Sequence, residues 1–223
     1  MIIIFMLLIL FGVVLLLKNE TYFNDYGYDA FTNNNNNSRN VVLIGDSMLN
    51  NSNYVYQGES VPDLLSKKLE GSATVYNFAK DGATIADCYA QLDKPFVDLN
   101  SQNTTIFVSC GGNNILNSRQ TEKMDVTNLF AEYSELIKSI KSRVPNADLY
   151  VLNLYMPAGG HHTSYKSTID QWNQLINDNA TVLGYSVLKT DDLLVAEEDF
   201  VYGVEPSLKG GTKLASKLFD HTL

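Results

Sequence analysis

The sequence predicts a three-layer α/β/α sandwich built on a five-stranded parallel sheet. Short, largely apolar runs of strand length recur along the chain, and longer segments with helical spacing of apolar residues separate them. Polar, glycine-containing stretches follow the first three runs, where such an architecture places its loops.

The runs are Val41 to Ile44, Ala73 to Phe78, Thr105 to Ser109, Leu149 to Leu154 and Tyr185 to Leu188. Val41 to Ile44 is apolar throughout, the signature of a strand covered on both faces. VTNLFAEYSELIKSIKSRV gathers Leu129, Phe130, Tyr133, Leu136, Ile137 and Ile140 on one helical face and stops shortly before Pro145. Tyr165 to Leu183 does the same with Ile169, Trp172, Leu175 and Ile176, and Ser207 to Phe219 with Leu214, Ala215 and Leu218. Such alternation implies right-handed crossovers with helices on both faces of the sheet. Ligands of that architecture bind outside the carboxyl ends of the strands.

At 223 residues and 45% hydrophobic content, the chain can form one sizeable core, here expected over residues 40–223. A net charge of −9, with no basic run, excludes nucleic acid as a partner, since phosphates are met by clustered Lys and Arg. Cys88 and Cys110 lack the spacing of a zinc or redox motif. Whether they pair is open at this stage.

Ile2 to Leu17 is uninterruptedly apolar, long enough for a short membrane span or the core of a secretory signal. No basic residue precedes it and no small-residue cleavage site follows, which favours an uncleaved anchor over residues 1–18. Residues 19–39, with the run Asn33 to Asn37, read as a flexible spacer. Lys18 on the globular side argues for a cytosolic domain, whereas the sequons at Asn19, Asn36, Asn50, Asn103 and Asn179 would suit an extracellular or lumenal one. The latter placement is the expectation adopted.

Three strand exits carry chemistry: Gly45-Asp46-Ser47, then Asn77-Phe78-Ala79-Lys80-Asp81-Gly82, then Gly111-Gly112-Asn113-Asn114. In that order they resemble the blocks of the SGNH, or GDSL-type, hydrolases across roughly residues 40 to 220. The resemblance implies a flavodoxin-like sandwich and an acyl-ester hydrolase with Ser47 as nucleophile. It also implies an oxyanion hole formed by the amides of Ser47 and Gly82 and the side chain of Asn113, and no cofactor or metal. Preorganised donors of this kind are worth roughly 2.7 to 4 kcal/mol each in measured sites. Asp46 is expected to fix the turn, as it is no member of the family's triad.

The fourth block departs from the family. Where Asp-x-x-His is expected, YGVEPSLKGGTKLA offers Tyr202 and Glu205, although Pro206, Ser207, Gly210, Leu214 and Ala215 fit. Asn114 at a position that is often Asp is a milder departure. A serine hydroxyl needs an adjacent base, and a glutamate with a reference pKa of about 4.3 serves only where burial raises it. His161 and His162, in the loop MPAGGHHTSY on the same rim, are candidate substitutes. His221, beyond the last helix, is expected at the far side or in a frayed tail. Two functions follow: an esterase, with activity reduced by these substitutions, on a small acyl ester of a sugar or lipid, or an inactive relative that binds acylated glycan or lipid.

Overall fold

The computed structural model describes residues 39–92, 98–118, 124–158 and 164–222. The expected anchor and most of the spacer lie outside this range, as do His161 and His162. Among the described residues, no helix is long and apolar enough to cross a membrane.

Five parallel strands form the sheet: β1 (Arg39–Gly45), β2 (Ala73–Asn77), β3 (Thr104–Ser109), β4 (Asp148–Leu152) and β5 (Ser186–Leu188), in the order β2-β1-β3-β4-β5. The reversal of strand order falls between β1 and β3, the crevice where open α/β sheets of this order bind ligands. Gly45 is in register with Ser109, so the exits of these two strands stand side by side.

The helices are α1 (Val61–Lys68), α2 (Ile85–Ala90), α3 (Gly112–Asn117), α4 (Val126–Arg143), α5 (Lys166–Leu183) and α6 (Leu208–Phe219). α1 packs against α6, and α4 packs against α5 and α2. The apolar faces expected for α4 and α6 are buried in full; on α5, Ile169, Trp172 and Ile176 are buried while Leu175 is only half-buried. Trp172 packs edge-on to Phe130 and against Tyr133, joining α4 to α5.

α1 and α2 add to the elements expected from periodicity. They are too short for a periodic pattern and are set by their caps: Ser60 with Asp63 opens α1, and Thr84 with Asp87 opens α2. A two-stranded hairpin, β6 (Phe200–Val201) and β7 (Glu205–Pro206), precedes α6. Val204 N–H donates to Val201 O, and both central residues have positive φ, +53° at Tyr202 and +74° at Gly203, as a type I′ turn requires.

His221 lies at the opposite end of the sheet from the strand exits: it rests edge-on against Tyr150 with Nδ1 near Lys217 O, and the neighbouring Thr222 O accepts from Arg39 at the start of β1. Rather than fraying, this terminus is tied down. Asn50 is buried and bonded through its side chain to Ser52, Asp81 and Asn77, so its sequon is closed to glycosylation in the folded state.

Candidate active site

The turn after β1 is shaped by Gly45. Its φ is +141°, and a Cβ there would lie 1.8 Å from Ser109 O. Gln91, buried beyond α2, grips the same residue twice, accepting from Gly45 N at 2.7 Å and donating to Gly45 O at 2.9 Å. Asp46 then closes the turn: Oδ1 accepts from Met48 N at 3.1 Å and from Ser109 Oγ at 3.0 Å. This is the fixing role expected of it. Burial pushes the Asp46 carboxyl up to about 7, with Glu205 adding to the rise and the bonds from Met48 and Ser109 opposing it.

Ser47, 6% exposed, lines a cavity of about 40 Å3 together with Asp46, Asn113 and Glu205. The remaining walls are mostly apolar, from Ile115, Leu154, Tyr155 and Ile169 among others. The structure thus brings Ser47, Asn113 and Glu205 together. The hydroxyls of Ser47 and Tyr54 both face the Glu205 carboxyl and favour its ionised form; burial outweighs them and the Asp81 charge adds to it, so the carboxyl is raised above its ordinary range. Neither contact closes to full hydrogen-bond geometry, and Glu205 Oε2 is buried without a partner among the described residues.

Asn113 Nδ2 gives one hydrogen to Ala83 O at 3.1 Å, and the amide's second hydrogen stays free for a ligand oxygen. Gly82, one residue before Ala83, is exposed on the rim and is not part of the cavity lining. Its φ of +76° is the glycine requirement there, since a Cβ would meet no atom within 4 Å. Asn114 bonds the same segment from the other side, Oδ1 accepting from Ile85 N at 3.0 Å. Cys88 of α2 and Cys110 after β3 form a disulfide, which ties these two segments covalently and settles the open pairing.

The hairpin carries Glu205 over the cavity. Tyr155 Oη donates to Val204 O at 2.7 Å, and the Tyr155 and Phe200 rings pack 5.2 Å apart. Tyr202, at the family's Asp position, is 84% exposed and sets its ring edge-on to Tyr54. Gly210 admits the entry of α6 beside Asp199, whose carbonyl oxygen a Cβ at 210 would approach to 2.2 Å. Gln91, Tyr54 and Asn51, all of which shape the site, were not legible as site residues: polar side chains in a loop or at a helix end carry no periodic signal.

The family model of the GDSL-like lipase/acylhydrolases matches residues 43–210. The chain belongs to this family. In fold, this GDSL-family chain is similar to a member of the lipolytic G-D-S-L family from Veillonella parvula (18% identity, TM-score 0.66, covering 81% of this chain and 96% of that one). It is likewise similar to an extracellular lipase from Streptomyces rimosus (16%, TM-score 0.60, 83% and 100%) and to an acetyl xylan esterase from Geobacillus stearothermophilus (16%, TM-score 0.62, 82% and 94%). No curated protein matches the sequence significantly.

Proposed function

We propose that this GDSL-family chain is a serine esterase for short acyl esters, with Ser47 as nucleophile and Glu205 as general base in the place of histidine. The observation that carries the reading is the Glu205 carboxyl facing the Ser47 hydroxyl across one small cavity, with its pKa raised by burial toward the range a base needs.

In the first half-reaction, Glu205 takes the hydroxyl proton as Ser47 Oγ bonds to the ester carbonyl carbon. The carbonyl oxygen becomes an oxyanion, met by Asn113 Nδ2 and the backbone amide of Ser47, the two expected donors that line the cavity. Collapse breaks the bond to the alcohol oxygen, which leaves with the proton held on Glu205. Water then repeats the sequence on the acyl-serine, giving the acid and free Ser47. Only the carboxylate form of Glu205 starts the cycle.

The cavity beside Ser47 suits a small acyl group: one water needs roughly 10–15 Å3, so about 40 Å3 accommodates an acetyl or similarly small chain. The disulfide supports placing the domain in an oxidising, extracellular or lumenal compartment, and the apolar N-terminal segment supports tethering it to a membrane.

The test is turnover of p-nitrophenyl esters by the purified domain. Acetate should be cleaved in preference to octanoate, and Ser47→Ala should abolish cleavage. Activity that survives Ser47→Ala, or a preference for long chains, contradicts the reading.

A further inference from the structure

We infer that Tyr54 is the positioning residue for Glu205, its hydroxyl taking over the orienting role that the family's aspartate has toward its histidine. The base itself rests on the function proposed above; the contact rests on how the chain places Tyr54.

The residue at the family's aspartate position supplies no carboxylate. Tyr202 stands 84% exposed in the turn between β6 and β7, its ring set edge-on to Tyr54 at 6.5 Å between centroids. Glu205 still needs a partner, because its Oε2 is buried with none among the described residues, and a bare buried oxygen is costly.

Besides Ser47, the titratable groups that act on Glu205 are Asp46 in the turn after β1, Asp81 after β2, Tyr155 after β4, and Tyr54. The two aspartates repel its charge, and both are engaged elsewhere: Asp46 accepts from Met48 N and Ser109 Oγ, Asp81 from Asn50 Nδ2 and Asn53 N. Tyr155 Oη is committed to Val204 O at 2.7 Å. Of these groups, Tyr54 is left as the donor.

A braced turn delivers it. Tyr54 N donates to Asn51 O at 3.1 Å, Asn53 N donates to Asp81 Oδ2 at 2.9 Å, and the Asn51 side chain reaches Pro206 O, one residue past Glu205. The segment carrying the hydroxyl and the hairpin carrying the carboxyl are thus joined on both sides of the pair, by an amide at Pro206 and an aromatic edge at Tyr202. Such bracing is what an orienting group requires. Burial, with the charges of Glu205 and Asp81, holds the Tyr54 hydroxyl above its ordinary range, so it remains a donor wherever the carboxylate exists. Bonded to one carboxylate oxygen, it leaves the other to take the Ser47 proton.

The experiment compares Tyr54→Phe, which keeps the ring against Tyr202 and removes only the hydroxyl, with Tyr202→Phe. The Tyr54 hydroxyl lowers the Glu205 pKa, so its loss should move the limb of kcat/KM for p-nitrophenyl acetate to higher pH. On the plateau kcat should fall about tenfold or more with KM little changed, since Tyr54 does not line the acyl cavity. Tyr202→Phe should leave the limb in place. An unmoved limb or an unchanged kcat in Tyr54→Phe, or a limb displaced as far by Tyr202→Phe, overturns the assignment. A carbon-13 NMR titration of the Glu205 carboxyl, identified by its loss in Glu205→Gln, reads the same contact without catalysis. The Glu205 pKa should be higher in Tyr54→Phe than in the parent, and equal values refute the contact. If the unsubstituted protein does not hydrolyse p-nitrophenyl acetate, the esterase reading fails while this titration still decides whether Tyr54 holds Glu205.

Discussion

Asn51 ties the nucleophile turn to Pro206, the residue after the proposed base: its Nδ2 donates to Pro206 O at 3.0 Å while its Oδ1 accepts from Val61 N at 2.8 Å. The side chain is fully buried, and its φ of +47° is one that asparagine tolerates better than most residues. One amide thus sets the distance between two chain segments 155 residues apart. Asn51→Ala orphans two buried backbone groups, at about 1–3 kcal/mol each. It should lower the midpoint of urea unfolding and reduce kcat more than KM, because Glu205 loses its register with Ser47. An unchanged kcat would mean that the hairpin is held by other contacts.

The pH dependence of kcat/KM follows from Glu205. Its carboxylate is the active form and burial raises its pKa, so the rate should climb with pH through a single limb centred above the usual glutamate value. A limb at the histidine value of about 6.5 that vanishes in His161→Ala/His162→Ala would instead assign the base to that loop.

Asn113→Ala removes a side-chain donor from the site. Comparable oxyanion donors contribute about 10²–10³ in kcat, and a loss of that size with little change in KM is expected for p-nitrophenyl acetate. Because Asn113 Nδ2 also bonds Ala83 O, thermal unfolding of the variant should be recorded alongside, and a drop in rate that merely tracks unfolding would contradict the assignment.

Asp46 makes stability depend on pH. Its folded pKa of about 7 lies above the unfolded value of 3.8, so the folded state holds an extra proton between these values. Its contribution is therefore present below the unfolded value and is lost as pH rises through about 7. Asp46→Asn keeps an acceptor for Met48 N and Ser109 Oγ and has no charge to bury. The melting temperature of the variant relative to the parent should rise from pH 5 to pH 8; a constant difference would refute the buried charge.

The sheet and its long helices were legible because their periodicity is enforced by burial: Val41 to Ile44 has no exposed side chain, and α4 buries every residue of its expected stripe. α1 was not read, because its only mark in the sequence is the Ser60-Val61-Pro62-Asp63 cap, a local signal that apolar spacing does not contain. At the site, Ser47 and Asn113 follow from strand exits, whose convergence the parallel topology guarantees. Glu205 marked a substitution in the sequence, but its raised pKa depends on a cavity wall assembled from α3, α5 and the segment after β4, and no single segment encodes that surrounding. Gly82 was legible only through the family resemblance; its glycine is required by a left-handed backbone, φ +76°, that the residue pattern does not reveal.

The most direct test of the Ser47–Glu205 pair is the rate of labelling by a fluorophosphonate, followed by intact mass with the modified residue mapped. The account predicts one adduct, on Ser47, forming at least a hundredfold more slowly in Glu205→Gln and at the parent rate in His161→Ala/His162→Ala. No adduct on the parent protein, or equal rates in parent and Glu205→Gln, would contradict it.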